Sequence, residues 1–592
     1  MKLVVPYIGE IHPADERLIR LAEFLGIACS SVSVDPRAGS RFSTPDSEWA
    51  VGDCCLVVNP DVIRQCLHNA VSLSEFISGL SSQFHRMLIH SVRSDPFHAA
   101  LVSALTDGCY YDVRKAQACE AFVVSSDSRD VCEAFAGLSI PAPNLRSEWV
   151  FSGGGAVGCR KFIRLGPDAF FAAFKTGDAE VLLLGSADVI DVNAEAGEAW
   201  LGETFSGFVP YAMALRHLFG DECWRPVQSH AGVVVDDPLL RPNYGFLNFE
   251  RLLRLMQEHN FKTTIAFIPH NFRRNSRRIV RLFRENADRL SLCFHGNDHI
   301  GAEFAATDPT LLNTMLHIAQ RRITALNRIT GLPCDRIMVF PQGKFSVDAM
   351  AALGSHNFDA AVNTGPRPFQ QPLQLTLRDL ALPAVLRYSG FPLFLRKYSK
   401  DTQDADIAFR LFFGIPILIV EHHDIFANPQ TLIEAVDRIN RAAPGIRWSG
   451  VGDAVKGSFL RKQLSPGPVQ LKAFARCIRI ENPDSAPKQF HIEWSYPASK
   501  SSLDGVYRND HCRAEYIADE TRVFVSALLA AGSSEDLSIR NVQPEANLAR
   551  IGLRYTTRAF IRRRLSEVRD NYVSKNSALL ATAKSLQRRL QH

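Results

Sequence analysis

No CxxC pair occurs among the thirteen cysteines, and the adjacent Cys54 and Cys55 cannot easily bridge one another. An odd, scattered set of this kind suits a reduced compartment better than a disulfide framework. Charge of one sign is equally scarce. A net +5 over 592 residues gives no reason to invoke nucleic acid. Long apolar runs are missing too: stretches such as Gly414–Val420 fall far short of the roughly 20 residues that a spanning helix needs. The first residues run from Met1 into Pro6, Glu10 and His12 with no h-region or A-x-A site, so no signal peptide is read. Ser152–Gly158 is glycine-rich but lacks both the GK[ST] ending and the GxGxxG spacing, which makes it a plain loop rather than a phosphate cradle. These absences leave a soluble, cytoplasmic protein as the expectation.

What is present is a core-forming composition, 46% hydrophobic, over a length that suggests about three to four domains. Residues 1–220 read as an α/β domain of unassigned role. Its strand candidates are Lys2–Val5, Ala28–Val34, Cys54–Asn59, Arg86–His90, Ala121–Val124 and Val181–Leu184, with helices such as Asp15–Leu25 and Pro60–Ser78. Residues 227–460 alternate strand and helix more regularly. Seven apolar runs each lead into a polar residue: Val233–Val235, Thr263–Ile268, Leu290–Phe294, Arg336–Phe340, Asp359–Val362, Leu382–Leu386 and Ile415–Val420. That is the pattern of a (β/α) barrel whose site is built from strand ends. Residues 465–545 change character. Val469–Ile480, His491–Tyr496, Arg513–Ile517 and Val523–Leu529 suggest a small antiparallel, sandwich-like β domain.

From residue 550 to 592 the chain is helical and basic, with Arg558, Arg562, Arg563, Arg564, Arg569, Lys575, Lys584, Arg588 and Arg589 against Glu567 and Asp570. Two readings stand. One is a solvated tail. The other is a helix that lays Phe560, Ile561, Leu565 and Val568 on a partner or a membrane surface, which would hold the protein peripherally at an anionic leaflet inside the cell.

The chemistry concentrates in the barrel. Val233–Val235 ends on Asp236-Asp237, and Leu290–Phe294 ends on His295-Gly296-Asn297-Asp298-His299. A DD pair alone is usually a loop or a helix cap, and an isolated HxxxH is usually not a metal site. Both at strand ends, followed by Pro341-Gln342-Gly343 and later by Glu421-His422-His423-Asp424, make a metal site with one carboxylate to spare.

In this order the motifs resemble those of the polysaccharide deacetylase family, the NodB-homology group or carbohydrate esterase family 4, over about residues 230–455. The resemblance implies a distorted (β/α) barrel and hydrolysis of the N-acetyl group of an amino sugar in a polysaccharide or its precursor. It implies that Asp237, His295 and His299 hold one divalent metal, Zn²⁺ by ligand type. Asp236 then matches the general base and His423 the general acid. Pro341, Gln342 and Gly343 form the turn that faces the oxyanion. Of the flanking histidine and acid, His422 reads as a spacer or core histidine, and Glu303 either supports His299 or, the favoured reading, is exposed; His270 ends a strand and either lines the pocket or is an ordinary satisfied histidine. Three departures stand against the pattern. Pro238 follows the aspartate pair where glycine is usual, Gln342 replaces an aromatic, and Val339 takes the place of the arginine that orients the base. Arg387 or Lys344 is the expected substitute. The same departures define the alternative function, a catalytically impaired barrel that binds carbohydrate or a partner.

Overall fold

The computed structural model describes residues 1–36, 54–67, 72–117, 121–142, 145, 148–153, 155, 158–196, 200–371, 373–464, 466–496, 503–543 and 548–575. Two compact units result. The first comprises 1–225, 376–378 and 462–467, and the second 226–375, 379–461 and 468–592.

The first unit is built on one mixed sheet. Parallel strands Cys29–Ser33, Lys2–Tyr7, Cys54–Val58, Arg86–Ile89 and Ala179–Leu184 continue into antiparallel Asp168–Thr176 and Cys159–Leu165. Several strands here go beyond those the sequence predicts: Tyr110–Lys115, Trp149–Gly153, Cys159–Leu165 and Asp168–Thr176. The expected helix Pro60–Ser78 is two, Pro60–Leu67 and Leu73–Gln83; Ser72 and Glu75 form a capping box that starts the second. Cys109 and Cys159 are paired, and the other ten described cysteines are free. Of the glycine-rich loop, Gly154, Ala156 and Val157 lie outside the described residues.

The second unit holds the barrel. Its seven strands are β1 (His230–Asp236), β2 (Thr263–Phe267), β3 (Leu290–His295), β4 (Asp335–Val339), β5 (Ala360–Asn363), β6 (Leu393–Tyr398) and β7 (Ile417–Glu421). All pair in parallel, each with its successor, and β7 closes on β1. The helices between them carry their apolar stripes inward, as in Phe249–Glu258 through Phe249, Leu252 and Met256. The result is a distorted, closed (β/α) barrel of seven parallel strands. Closure leaves no edge, so every strand end at one rim points at the same space.

One strand lies elsewhere than expected. Leu382–Leu386 is loop, with only an isolated bridge from Val385 to Leu393, and β6 is Leu393–Tyr398. Its sequence, LFLRKY, carries two cations, so the apolar-run criterion passes over it in favour of the more apolar LPAVL. This shift decides the site.

Residues 469–541 form two facing sheets around a shared apolar core. The expected single strand Val469–Ile480 is broken into Val469–Ala473 and Cys477–Glu481, one in each sheet, and the pair Val469–Ala473 with Lys488–Ser495 is parallel. No described helix is long and apolar enough to cross a membrane.

At the end of the barrel opposite the strand tips, Asp335 accepts the Gly452 N–H at 3.2 Å. Burial, with Asp453 nearby, pushes its carboxyl up to about 7. A carboxyl raised in the folded state favours the protonated form, so its contribution to stability is lost as pH rises from about 4 through 7. Asp335→Asn is therefore expected to melt several degrees higher than the parent at pH 8.5 and at nearly the same temperature at pH 4.5. Thermal unfolding at the two values checks this, and an unchanged gap would show that Asp335 is not the group responsible.

Candidate metal centre and its covering helix

Asp236 ends β1 and Asp237 follows it with φ 82, in the left-handed region that non-glycine residues rarely adopt. His299 (φ 55) and Gln342 (φ 58) share that conformation. Three such residues around one pocket mark a backbone held in place by its surroundings, as strained positions at functional sites are.

Asp237, His295 and His299 each offer one ligand atom, and these atoms lie within 4.8 Å of one another. Asp237 Oδ1 is 3.5 Å from His295 Nε2 and 3.3 Å from His299 Nε2. The donor set fits a metal on this structure's own terms. Asp237 Oδ1 is buried without a hydrogen-bond partner. One carboxylate oxygen and two imidazole nitrogens are what Zn²⁺ or a similar ion takes. His295 is aimed by its other nitrogen, whose N–H donates to the Val339 carbonyl at 3.1 Å. Val339, which carries no guanidinium, thus serves the site through its backbone. Burial of His299 lowers its imidazole's basicity, while both histidines hold the Asp237 carboxyl down against the opposing effect of burial.

The HxxxH segment is a loop, not a helix, and Glu303 shapes it. Its carboxylate accepts the backbone N–H groups of Asn297 (2.7 Å), Asp298 (3.2 Å) and His299 (3.1 Å). Glu303 is buried, contrary to the exposed position expected, and burial pushes its carboxyl up to about 7. Gly296 is required beside it: at φ +61, a Cβ would stand 2.1 Å from Glu303 Oε1. His270 belongs to the same support. Its Nδ1 meets Asp298 Oδ1 at 2.6 Å, where Arg322 also donates at 2.8 Å.

The base has an arginine from an unexpected strand. Arg396 of β6 donates Nη1 to Asp236 Oδ1 at 2.7 Å and Nη2 to Oδ2 at 2.6 Å, with both residues buried. Burial alone would raise the Asp236 carboxyl, but Arg396 and His295 outweigh it and hold the group well below the usual carboxylate range. Arg387 is exposed, outside the pocket, and Lys344 sits over the Phe369 ring at 4.3 Å. Neither supplies the substitute; the misplaced strand hides the residue that does. Pro341–Gly343 forms a tight turn, with Gln342 and Gly343 on the pocket wall and the Gly343 N–H engaged by the Phe340 carbonyl at 3.1 Å.

The basic helix is part of the site. Leu553–Val568 and the turn Arg569–Val573 cross the barrel mouth, and Arg562, Arg563, Ser566, Arg569 and Asp570 line the same pocket as the metal ligands. Tyr555 Oη donates to Asp298 at 3.2 Å, Tyr244 Oη donates to Asp570 at 2.7 Å, and Asn571 Oδ1 accepts the Gly245 N–H at 2.9 Å. Glu567 bridges to Arg241 and Arg274. The solvated-tail reading is therefore corrected for the described part of the helix, and nothing here supports the membrane contact. The helix's partner is the barrel, although Phe560, Ile561, Leu565 and Val568 do face outward. Lys584, Arg588 and Arg589 lie outside the described residues.

The two histidines after β7 part company. His422 lines the pocket with its ring stacked on Tyr398 at 6.3 Å. His423 is wedged between Tyr244 and Phe246, and its Nε2 lies 3.5 Å from Asp570 Oδ1. Burial raises the Asp570 carboxyl, but hydrogen bonds from His423, Arg569 and Tyr244 overcome that and keep it ionised.

No protein-family model matches the chain, and no curated protein matches it significantly. Among solved structures it is similar to Agd3, described as a novel carbohydrate deacetylase, at 10% identity and a TM-score of 0.47, covering 91% of this chain and 98% of that one. It is similar to a family 4 carbohydrate esterase from Streptomyces lividans in complex with acetate (14%, TM-score 0.23, 37% and 88% covered). A third likeness is to BA3943, a pseudoenzyme of that family from Bacillus anthracis (12%, TM-score 0.23, 39% and 66% covered). At identities this low, each is a likeness of fold alone.

Proposed function

We propose that the chain is a metal-dependent deacetylase that hydrolyses the N-acetyl group of an amino sugar in a polysaccharide or its precursor. One observation carries this: a three-residue donor set with an unpartnered buried carboxylate oxygen lies next to a second carboxylate whose ionisation is secured by a bidentate arginine. Asp237, His295 and His299 would hold the ion, zinc by ligand type, and a bound ion of this kind acidifies water and polarises a carbonyl.

The residues do the rest. Asp236, fixed by Arg396 and kept ionised, receives the proton of the water that attacks the acetamide carbonyl. The turn at Gln342 faces the oxygen that gains charge. Cleavage of the C–N bond gives acetate and a free amine, and the amine takes its proton from His423. Asp570 Oδ1 stands 3.5 Å from His423 Nε2 and occupies it in this structure.

The placement of Asp570 also favours a second reading, a barrel that binds saccharide without turning it over. Metal analysis of the purified protein, then acetate release from N-acetylglucosamine and its oligomers, separates the two. One equivalent of metal with acetate release supports the deacetylase. Metal and sugar binding without acetate supports the binding protein, and absence of metal from the folded protein overturns both assignments of the triad.

A further inference from the structure

The covering helix brings more positive charge to the pocket than the pocket can use. Four guanidinium groups line it, from Arg396, Arg562, Arg563 and Arg569, against three carboxylates, from Asp236, Asp237 and Asp570. The carboxylates are already committed. Asp236 takes both ends of Arg396, Asp237 faces the two histidines, and Asp570 accepts from Arg569 at 2.6 Å as well as from Tyr244. Among the described residues no carboxylate lies within ion-pair distance of Arg562 or Arg563.

Arg563 is the strongest case. It is only 7% exposed, its Nε is buried with no hydrogen-bond partner, and Nη2 has one contact, to Ser566 Oγ at 3.2 Å. A buried guanidinium without a counter-ion is costly, because the desolvation of its charge is not repaid. A protein that keeps one at a pocket wall keeps it for a charge that arrives with the ligand. Four arginines against three aspartates leave a surplus of +1, and a divalent ion on the triad would enlarge it. The neutral acetamide cannot balance this.

We propose that Arg562, Arg563 and Arg569 form an anion subsite, so that the amino sugar this site takes carries a phosphate or carboxylate near its acetamido group. The guanidinium fork matches either group with paired N–H donors. The helix presents Arg562, Ser566 and Arg569 at i, i+4 and i+7, on one face, and Arg563 beside them deeper in the pocket. The pocket volume of about 370 Å³ is at the small end for ligand sites, as suits a single charged sugar unit. The inference rests on the deacetylase reading for the acetamido half of the ligand but not for the anion.

The test is equilibrium binding to the full-length, zinc-loaded protein by calorimetry, with three probes: N-acetylglucosamine, its 6-phosphate, and N-acetylmuramic acid as the carboxylate. At least one charged sugar is expected to bind ten-fold or more tighter than the neutral one, and which of them does so identifies the anion. Arg562→Gln and Arg563→Gln should each remove at least five-fold of that advantage while the neutral sugar binds as before. Arg562 is partly exposed, so its variant keeps the test open if Arg563→Gln does not fold. Equal affinity for all three probes overturns the subsite, as does a uniform loss across them in Arg562→Gln. If the preference holds but no probe releases acetate, the deacetylase reading fails and the subsite stands. If the neutral sugar releases acetate and no preference is seen, the subsite fails and the deacetylase reading stands.

Discussion

Replacing His295 with alanine is expected to empty the metal site and lower acetate release by about 10³-fold or more, which corresponds to roughly 4 kcal/mol of barrier at 1.36 kcal/mol per decade. The size of the effect follows from geometry. His295 is buried at the end of β3, its Nδ1–H is engaged by Val339, and its Nε2 faces the Asp237 carboxylate at 3.5 Å. The side chain therefore has one available direction, and that direction is shared with both other ligands. His299→Ala should behave alike, whereas His270→Ala should leave metal bound, because that ring contacts Asp298 rather than the triad. Metal content per chain after gel filtration reads out all three. An alanine variant at His295 that retains a full equivalent would remove it from the ligand set.

The second large effect is expected at the Asp236–Arg396 pair. Both side chains are almost wholly buried and are joined through two short hydrogen bonds. Arg396→Gln leaves a buried carboxylate unpaired, which should lower stability by about 3–5 kcal/mol. It should also lower turnover by about 10²–10⁴-fold, the range attached to positioned proton transfer. Metal content should be unchanged, since Arg396 touches none of the ligands. Asp236→Asn should likewise keep the metal and lose activity. The double variant Asp236→Asn/Arg396→Gln removes both charges and should regain most of the stability but none of the activity. This non-additivity separates a working ion pair from two independent supports. Wild-type turnover in Arg396→Gln, or a double variant no more stable than Arg396→Gln alone, would contradict the assignment.

What the sequence reveals of the site depends on where each residue's information lies. Asp236, Asp237, His295 and His299 follow short apolar runs, so strand ends and polar residues are visible together, and the structure draws these four into one pocket. Arg396 is invisible for the reason that makes it useful. A cation inside a barrel strand breaks the apolar run by which strands are recognised, and the neighbouring LPAVL offers a better-looking but wrong run. Glu303 reads as exposed because sequence does not show three backbone N–H groups converging on one carboxylate. Arg563 and Asp570 lie more than 300 positions from the aspartates in the sequence. Only tertiary folding brings them to the mouth, and a basic amphipathic helix looks the same whether its partner is a lipid or a barrel.

The covering helix also has a consequence for the order of events during synthesis. A chain made from its N-terminus completes β7 at Glu421 and the barrel helix Gln430–Ala442 well before residues 553–573 exist. At about 5–20 residues per second, the interval of ~110 residues lasts on the order of ten seconds. Throughout that time the barrel can close around its metal ligands while Tyr244, Gly245 and His423 have nothing above them. A ribosome that stops in this interval releases a chain with a finished barrel and an unfinished pocket, open at the mouth and short of three arginines. Recognition of the ligand is thus withheld until residues 553–573 have been made, and a product terminated before them competes poorly with the longer chain for the same sugar.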